Sequence, residues 1–140
     1  MTHEDIRIAA AFVLRADGST LVVRKRGTEL FIQPGGKIKE GEDPREALSR
    51  ELKEELGLVI ETHDLSSFGR FEAEAANEPG YTVVADVFKL ETSPVHISAA
   101  AEIEELAWIK PADPGDIRLA VLTRDRILPL YRQTSLGLDY

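Results

Sequence analysis

Three carboxylates crowd together in the middle of this chain. Glu51, Glu54 and Glu55 fall at i, i+3 and i+4 within Arg50-Glu51-Leu52-Lys53-Glu54-Glu55-Leu56, so on a helix their side chains gather on one face. Like charges at that spacing repel by about 0.2–0.5 kcal/mol per pair, and an acidic run by itself is usually a solvated surface. The flanking residues point further. Pro34-Gly35-Gly36 lies just upstream, and adjacent glycines let backbone amides and carbonyls approach a ligand closely. Carboxylates and a carbonyl form a hard-oxygen donor set suited to Mg²⁺ or Mn²⁺, ions that keep several waters and bridge to substrate phosphates. The cluster therefore reads as a metal site.

The helix that must carry these residues is marked at both ends. Asp43 supplies an N-cap and Pro44 the first helical position, where a missing N–H costs nothing. Gly57 stands where a terminating glycine belongs. Between them the chain is rich in good helix formers, and Leu48, Leu52 and Leu56 form the apolar stripe that buries. Residues 8–14 and 21–26 read as a strand hairpin around the turn Ala16-Asp17-Gly18-Ser19. Residues 30–33 form a short strand feeding the glycine turn, and 58–61 and 67–75 are extended. A turn at Asn77-Glu78-Pro79-Gly80 leads to a return strand over 81–90. After a loop through Ser93-Pro94, residues 106–109 form another strand. Residues 117–132 have helical spacing, with Pro129 expected near the helix end. Strands flanking one helix, with a second helix at the C-terminus, predict an α/β fold in which a mixed sheet lies between helices.

Residues 36–58 follow the pattern G-x5-E-x7-R-E-U-x-E-E-x-G-U, with U aliphatic. This resembles the Nudix box at every fixed position. The resemblance implies an enzyme that cleaves a diphosphate with a divalent metal, Mg²⁺ or Mn²⁺, built as one α/β/α sandwich domain over residues 1–140. It also implies roles. Glu51, Glu54 and Glu55 bind metal, joined by the carbonyl of Gly35. Arg50 sits beside Glu54 and holds carboxylates in place, Glu42 anchors its loop, and Gly57 ends the helix. A further acidic ligand is expected from a loop before a Trp-bearing strand. Glu102 matches best by its distance from Trp108, with Glu104 and Glu105 as rivals. The catalytic set is Arg50, Glu51 and Glu54. Phosphoryl transfer needs an in-line water, neutralised phosphates and a proton acceptor, and Glu51, Glu54 and Glu102 are the candidates for the last role.

Composition sets limits on partners. The 140 residues are 43% hydrophobic and 30% charged, enough for one ordinary core. No apolar run approaches the roughly 20 residues of a membrane span, and the N-terminus lacks a signal-peptide pattern. Zero cysteines exclude disulfides, thiolate zinc sites and cysteine nucleophiles, and fit a cytoplasmic protein. A net charge of −8 argues against duplex nucleic acid, whereas metal ions allow an acidic protein to hold a small nucleotide or other diphosphate. Alternation along the second strand sends Lys25 to one face and Arg24 with Arg26 to the other; Lys25 and Arg26 are candidate phosphate contacts. Gln33, sharing a face with Phe31, is a candidate to read a base edge. Tyr81, Phe88 and Trp108 read as core, and His3, His63 and His96 as isolated. The spacings that mark ADP-ribose and dinucleoside polyphosphate hydrolases in this family are missing: no proline lies about fifteen residues past the box, and Glu74, Ala75 and Ala76 stand where a tyrosine would. What remains is hydrolysis of a nucleoside triphosphate to monophosphate and pyrophosphate. The alternatives are an ADP-ribose, nucleotide-sugar or dinucleoside polyphosphate hydrolase, or a catalytically silent Nudix-fold nucleotide-binding module. The silent module predicts losses among the three glutamates, and none is lost. Monomer and homodimer both remain open.

Overall fold

The computed structural model describes residues 5–76, 78–91 and 97–135; His3, Asn77, the Ser93-Pro94 loop and His96 lie outside them. At the centre is β1 (Asp5–Leu14), whose residues Ala9 through Val13 are all buried, the continuous apolar run of a strand covered on both faces. It runs parallel to β6 (Thr82–Glu91) from Asp5↔Thr82 to Leu14↔Glu91, and β5 (Ser66–Glu74) adds antiparallel beyond. On the other side, β2 (Thr20–Lys25) carries β3 (Phe31–Ile32) and β7 (Ile103–Ile109). The predicted hairpin closes only at its turn, through Leu14↔Thr20. The rest of that edge of β1 is taken by β4 (Gly35–Lys37), with Ile8↔Lys37, Ala9↔Gly36 and Ala10↔Gly35 in register.

Period-two alternation divides β1 between two cores. Ala9, Ala11 and Val13 meet Leu48, Leu52 and Leu56 of α1 (Pro44–Leu56) on one face. Ala10, Phe12 and Leu14 meet Leu122, Ile127 and Leu128 on the other. The mixed sheet thus lies between helical layers, as predicted. The predicted caps form as well: Asp43 accepts from the Arg45 amide at 2.8 Å, and Gly57 adopts a left-handed φ of 66°.

Three expectations are corrected. Residues 58–61 join no strand; Leu58 and Ile60 pack onto the α1-side core and a 3₁₀ turn, Thr62–Asp64, follows. The C-terminal helix starts later and runs past Pro129. Its expected first residues are spent on β3, where Phe31 N–H donates to Arg118 and Ala120 N–H to Phe31. A π-helical stretch, Leu122–Ile127, then leads into α2 (Leu128–Ser135). Pro129 has no N–H to offer the helix, and just before it Leu128 N–H reaches back to the Thr123 carbonyl, the wider pairing of a π turn. Finally, Tyr81 is 37% exposed at the β5–β6 turn rather than core, whereas Phe88 is buried and Trp108 lies half-buried under the Arg15 guanidinium at 3.9 Å. No helix among the described residues is long and apolar enough to cross a membrane.

Leu52 is fully buried between α1 and the sheet, so Leu52→Ala should cost about 2–5 kcal/mol by urea denaturation. Leu52→Met should cost less than about 1.5 kcal/mol. Equal losses from the two would mean that volume at this position is not what holds helix to sheet.

Candidate active site

Gly35 and Gly36 are wedged between β1 and α1; Gly35 has no room for a side chain against the backbone, and one at Gly36 would have to displace the Glu51 carboxylate. Gly35 has φ 146°, and a Cβ there would run into the Ala9 carbonyl. At Gly36 a Cβ would meet the Glu51 carboxyl carbon at 2.5 Å. The same closeness places the Gly35 N–H 3.3 Å from Glu55 Oε1, to which it donates. Glu55 is only 6% exposed. Burial pushes its carboxyl up to about 7; the negative charges of Glu51 and Glu54 add to the rise, and the Gly35 N–H and Lys25 oppose it. Glu54 is exposed on the adjoining helix face.

Arg50, one helical turn before Glu54, fixes this face by holding Glu42 and Glu51. Its Nε and Nη2 grip Glu42 at 3.0 and 2.9 Å, Nη2 also reaches the Lys37 carbonyl at 3.3 Å, and Nη1 donates to Glu51 Oε1 at 2.8 Å. The fork geometry of a guanidinium makes such a bidentate grip directional. Glu42 also accepts from the Lys39 amide at 3.0 Å, and the Arg50 contacts, with that amide, hold its carboxyl down at about 2. Glu42 therefore anchors its loop, as expected.

The loop before β7 docks on the end of α1. Ser98 N–H donates to the Leu56 carbonyl and Ala100 N–H to that of Glu55, occupying acceptors that a helix end leaves unpaired. Ala101 follows at φ 52°, uncommon for a residue other than glycine. Next comes Glu102, whose carboxylate lies 3.8 Å from Lys25 Nζ. Its rivals are engaged elsewhere: Arg24 Nη2 holds Glu104 at 3.0 Å and Glu105 at 3.1 Å. Lys25 and Arg26 both line one cavity with Glu102, although strict alternation would separate them. β2 ends at Lys25 with a register shift after Arg24, so alternation no longer governs Arg26.

That cavity measures about 540 Å³ and is also lined by Gly35, Gly36, Gln33 and Thr123. Its volume is that of a small-molecule site. Gln33 is 5% exposed and donates through Nε2 to the Ala11 carbonyl at 2.8 Å. Thr123 was not singled out from the sequence, where it is one polar residue in an apolar helical pattern. Among the described residues no group of three or more acidic, histidine or cysteine side chains is gathered closely enough to hold a metal ion as they stand. The donor set nevertheless suits a hard cation. Glu51, Glu54 and Glu55 stand in the last turns of α1, where helix carbonyls already concentrate negative charge, and a divalent cation would offset much of it.

Known proteins with a similar sequence or fold identify the family. A family model described as NUDIX domain matches residues 5–131. The chain is 35% identical over 78 residues to an 8-oxo-dGTP diphosphatase of Haemophilus influenzae, a stretch covering 53% of this chain and 56% of that protein. It is 30% identical over 97 residues to the nucleoside triphosphatase NudI of Escherichia fergusonii, covering 64% of this chain and 68% of that one. The crystal structure of a MutT protein from Methanosarcina mazei Go1 superposes with a TM-score of 0.76 at 20% identity, covering 96% of this chain and 98% of that one.

Because the Glu42 carboxyl is held below its ordinary value of 4.5, at about 2, its pairing with Arg50 contributes stability that is present above pH 4.5. That contribution is lost as the pH falls through about 2. Glu42→Gln should therefore be less stable than wild type at pH 7, with the gap narrowing steadily below pH 4.5 in urea melts. A gap independent of pH would show that the charge on Glu42 is not what anchors the loop.

Proposed function

The chain belongs to the Nudix family and is a Nudix pyrophosphohydrolase, and from that premise we propose that it hydrolyses a nucleoside triphosphate to the monophosphate and pyrophosphate. One observation carries this reading. The glycine pair that seats Glu51 and Glu55 also lines the cavity that holds the cations of Lys25 and Arg26 and the buried amide of Gln33. A triphosphate and a base can thus be held in one site. The relatives named as an 8-oxo-dGTP diphosphatase and a nucleoside triphosphatase support the same substrate class.

The residues that would hold Mg²⁺ or Mn²⁺ are Glu51, Glu54, Glu55, Glu102 and the carbonyl of Gly35. When bound, such ions neutralise phosphate charge and lower the pKa of a bound water. The chain's own groups do the rest. Arg50 keeps Glu51 against Gly36 in a single orientation. Lys25 and Arg26 bind phosphate oxygens, and the aliphatic residues of the cavity flank the base. Water adds its oxygen to phosphorus as the bridging P–O bond breaks, and its proton passes to a carboxylate of the set Glu51, Glu54 and Glu102. Gln33 reads the base edge. All three box glutamates are present, as hydrolysis requires and a silent binding module does not.

With Mg²⁺ or Mn²⁺ the protein should release pyrophosphate from nucleoside triphosphates, and excess chelator should abolish turnover. Glu54→Gln keeps size and helix propensity, so its thermal unfolding should stay near wild type while kcat falls by orders of magnitude. Release of inorganic phosphate instead, or a clear preference for ADP-ribose or a dinucleoside polyphosphate, would overturn the substrate assignment. Near-normal turnover of Glu54→Gln would overturn its place in the site.

A further inference from the structure

Two buried side-chain atoms among the described residues have no hydrogen-bond partner, Gln33 Oε1 and Thr123 Oγ1, and both residues line the same cavity. Leaving such atoms unpaired destabilises a folded protein, and native structures do so seldom. Gln33 cannot relieve the deficit by turning over. Its Nε2 donates to the Ala11 carbonyl at 2.8 Å, and a reversed amide would set oxygen against oxygen. Gln33 Oε1 is therefore a fixed acceptor. Thr123, 1% exposed, sits in the π-helical stretch, where its carbonyl takes the Leu128 N–H and its hydroxyl is left to donate or accept. Such turns recur at functional positions.

Neither atom bonds any group of the surrounding wall. That wall mixes apolar Ile6, Ile8, Ile32, Val83 and Leu122 with charged residues, among them Lys25, Arg26 and Glu102, and no aromatic ring lines the cavity among the described residues. A base held there is not gripped by ring stacking, so hydrogen bonds must carry the selectivity. We propose that Gln33 Oε1 and Thr123 Oγ1 form a base-reading pair, kept unpaired in the free protein and completed by the substrate. Gln33 accepts an N–H of the nucleobase, and the Thr123 hydroxyl bonds the polar atom beside it. This rests on the nucleoside triphosphate reading above and adds Thr123 as a determinant of which bases are accepted. It also has a consequence that a structural threonine lacks: removing the hydroxyl relieves the free protein while it harms binding.

The test compares wild type with Thr123→Val, which keeps the side-chain shape, and Thr123→Ser, which restores the hydroxyl. Each is assayed on the four dNTPs, the four NTPs and 8-oxo-dGTP, with thermal unfolding measured alone and with each nucleotide. Thr123→Val should melt at or above the wild-type temperature without ligand. On the preferred nucleotide its kcat/KM should fall by about 5-fold or more, mainly through KM, and its preference among bases should flatten. Thr123→Ser should recover most of both. If wild type discriminates among bases and Thr123→Val keeps the same ranking and KM, the pair is overturned while the proposed function stands. A Thr123→Val protein that melts well below wild type or fails to fold shows the hydroxyl to be structural, and also overturns it. If no nucleotide is cleaved or raises the melting temperature of wild type, both readings fall together.

Discussion

The contact on which the rest of this molecule depends is one between groups with nothing between them. Gly36 lies against the carboxylate of Glu51, and Gly35 against the backbone of Ala9. Because both residues lack a Cβ, β4 fits into the gap between β1 and α1, and the acidic row of the helix comes down onto the sheet. Glu55 is buried as a result and takes the Gly35 amide as its donor. An ordinary residue at Gly36 would have to displace a carboxylate that Arg50 also holds from the side. Gly35 is thus required by the backbone beside it, and Gly36 sets where the Glu51 carboxylate can lie.

Around this contact the chain distributes charge in one direction. Arg50 is shared among Glu42, Glu51 and the Lys37 carbonyl, so one cation holds the loop before the helix, the strand before that loop and the helix itself. At the far end, Ser98 and Ala100 occupy the carbonyls of Leu56 and Glu55, and Arg26 N–H donates to the carbonyl of Glu102. Those backbone bonds join the end of α1, the end of β2 and the approach to β7, which is why Glu102 and Lys25 face each other across the cavity mouth. The carboxylates stay underneutralised among the described residues: Arg50 serves Glu51, while Glu55 takes the Gly35 amide and is partly offset by the charge of Lys25. A proposed cation site follows from that remaining imbalance.

Local signals carried much of this into the sequence. Asp43, Pro44, Gly57 and the leucine stripe bound a helix without outside help, and the apolar run of residues 8–14 announces a strand. The family resemblance favours Glu102 by its spacing from Trp108, and the fold adds what spacing cannot: Glu102 lies by Lys25, whereas Arg24 holds Glu104 and Glu105. What stayed illegible was set by distant partners. The first hairpin opens because β4 competes for the edge of β1. The C-terminal helix starts late because residues 118–120 pair with Phe31. Lys25 and Arg26 meet because a register shift breaks the alternation, and Thr123 faces the cavity through a π turn that an apolar periodicity cannot reveal. That Arg50 holds carboxylates follows from the helix; that one of them is Glu42 depends on where the preceding loop returns.

The central claim is that the contact between Gly36 and Glu51 organises a cation site for phosphate chemistry. Its most direct test is Mn²⁺ affinity, measured calorimetrically on wild type and Gly36→Ala at matched folding. The methyl group must push the Glu51 carboxylate aside, so Mn²⁺ binding should weaken by about 10–100-fold while the unfolding transition stays cooperative. Unchanged Mn²⁺ affinity in a folded Gly36→Ala protein would contradict the account.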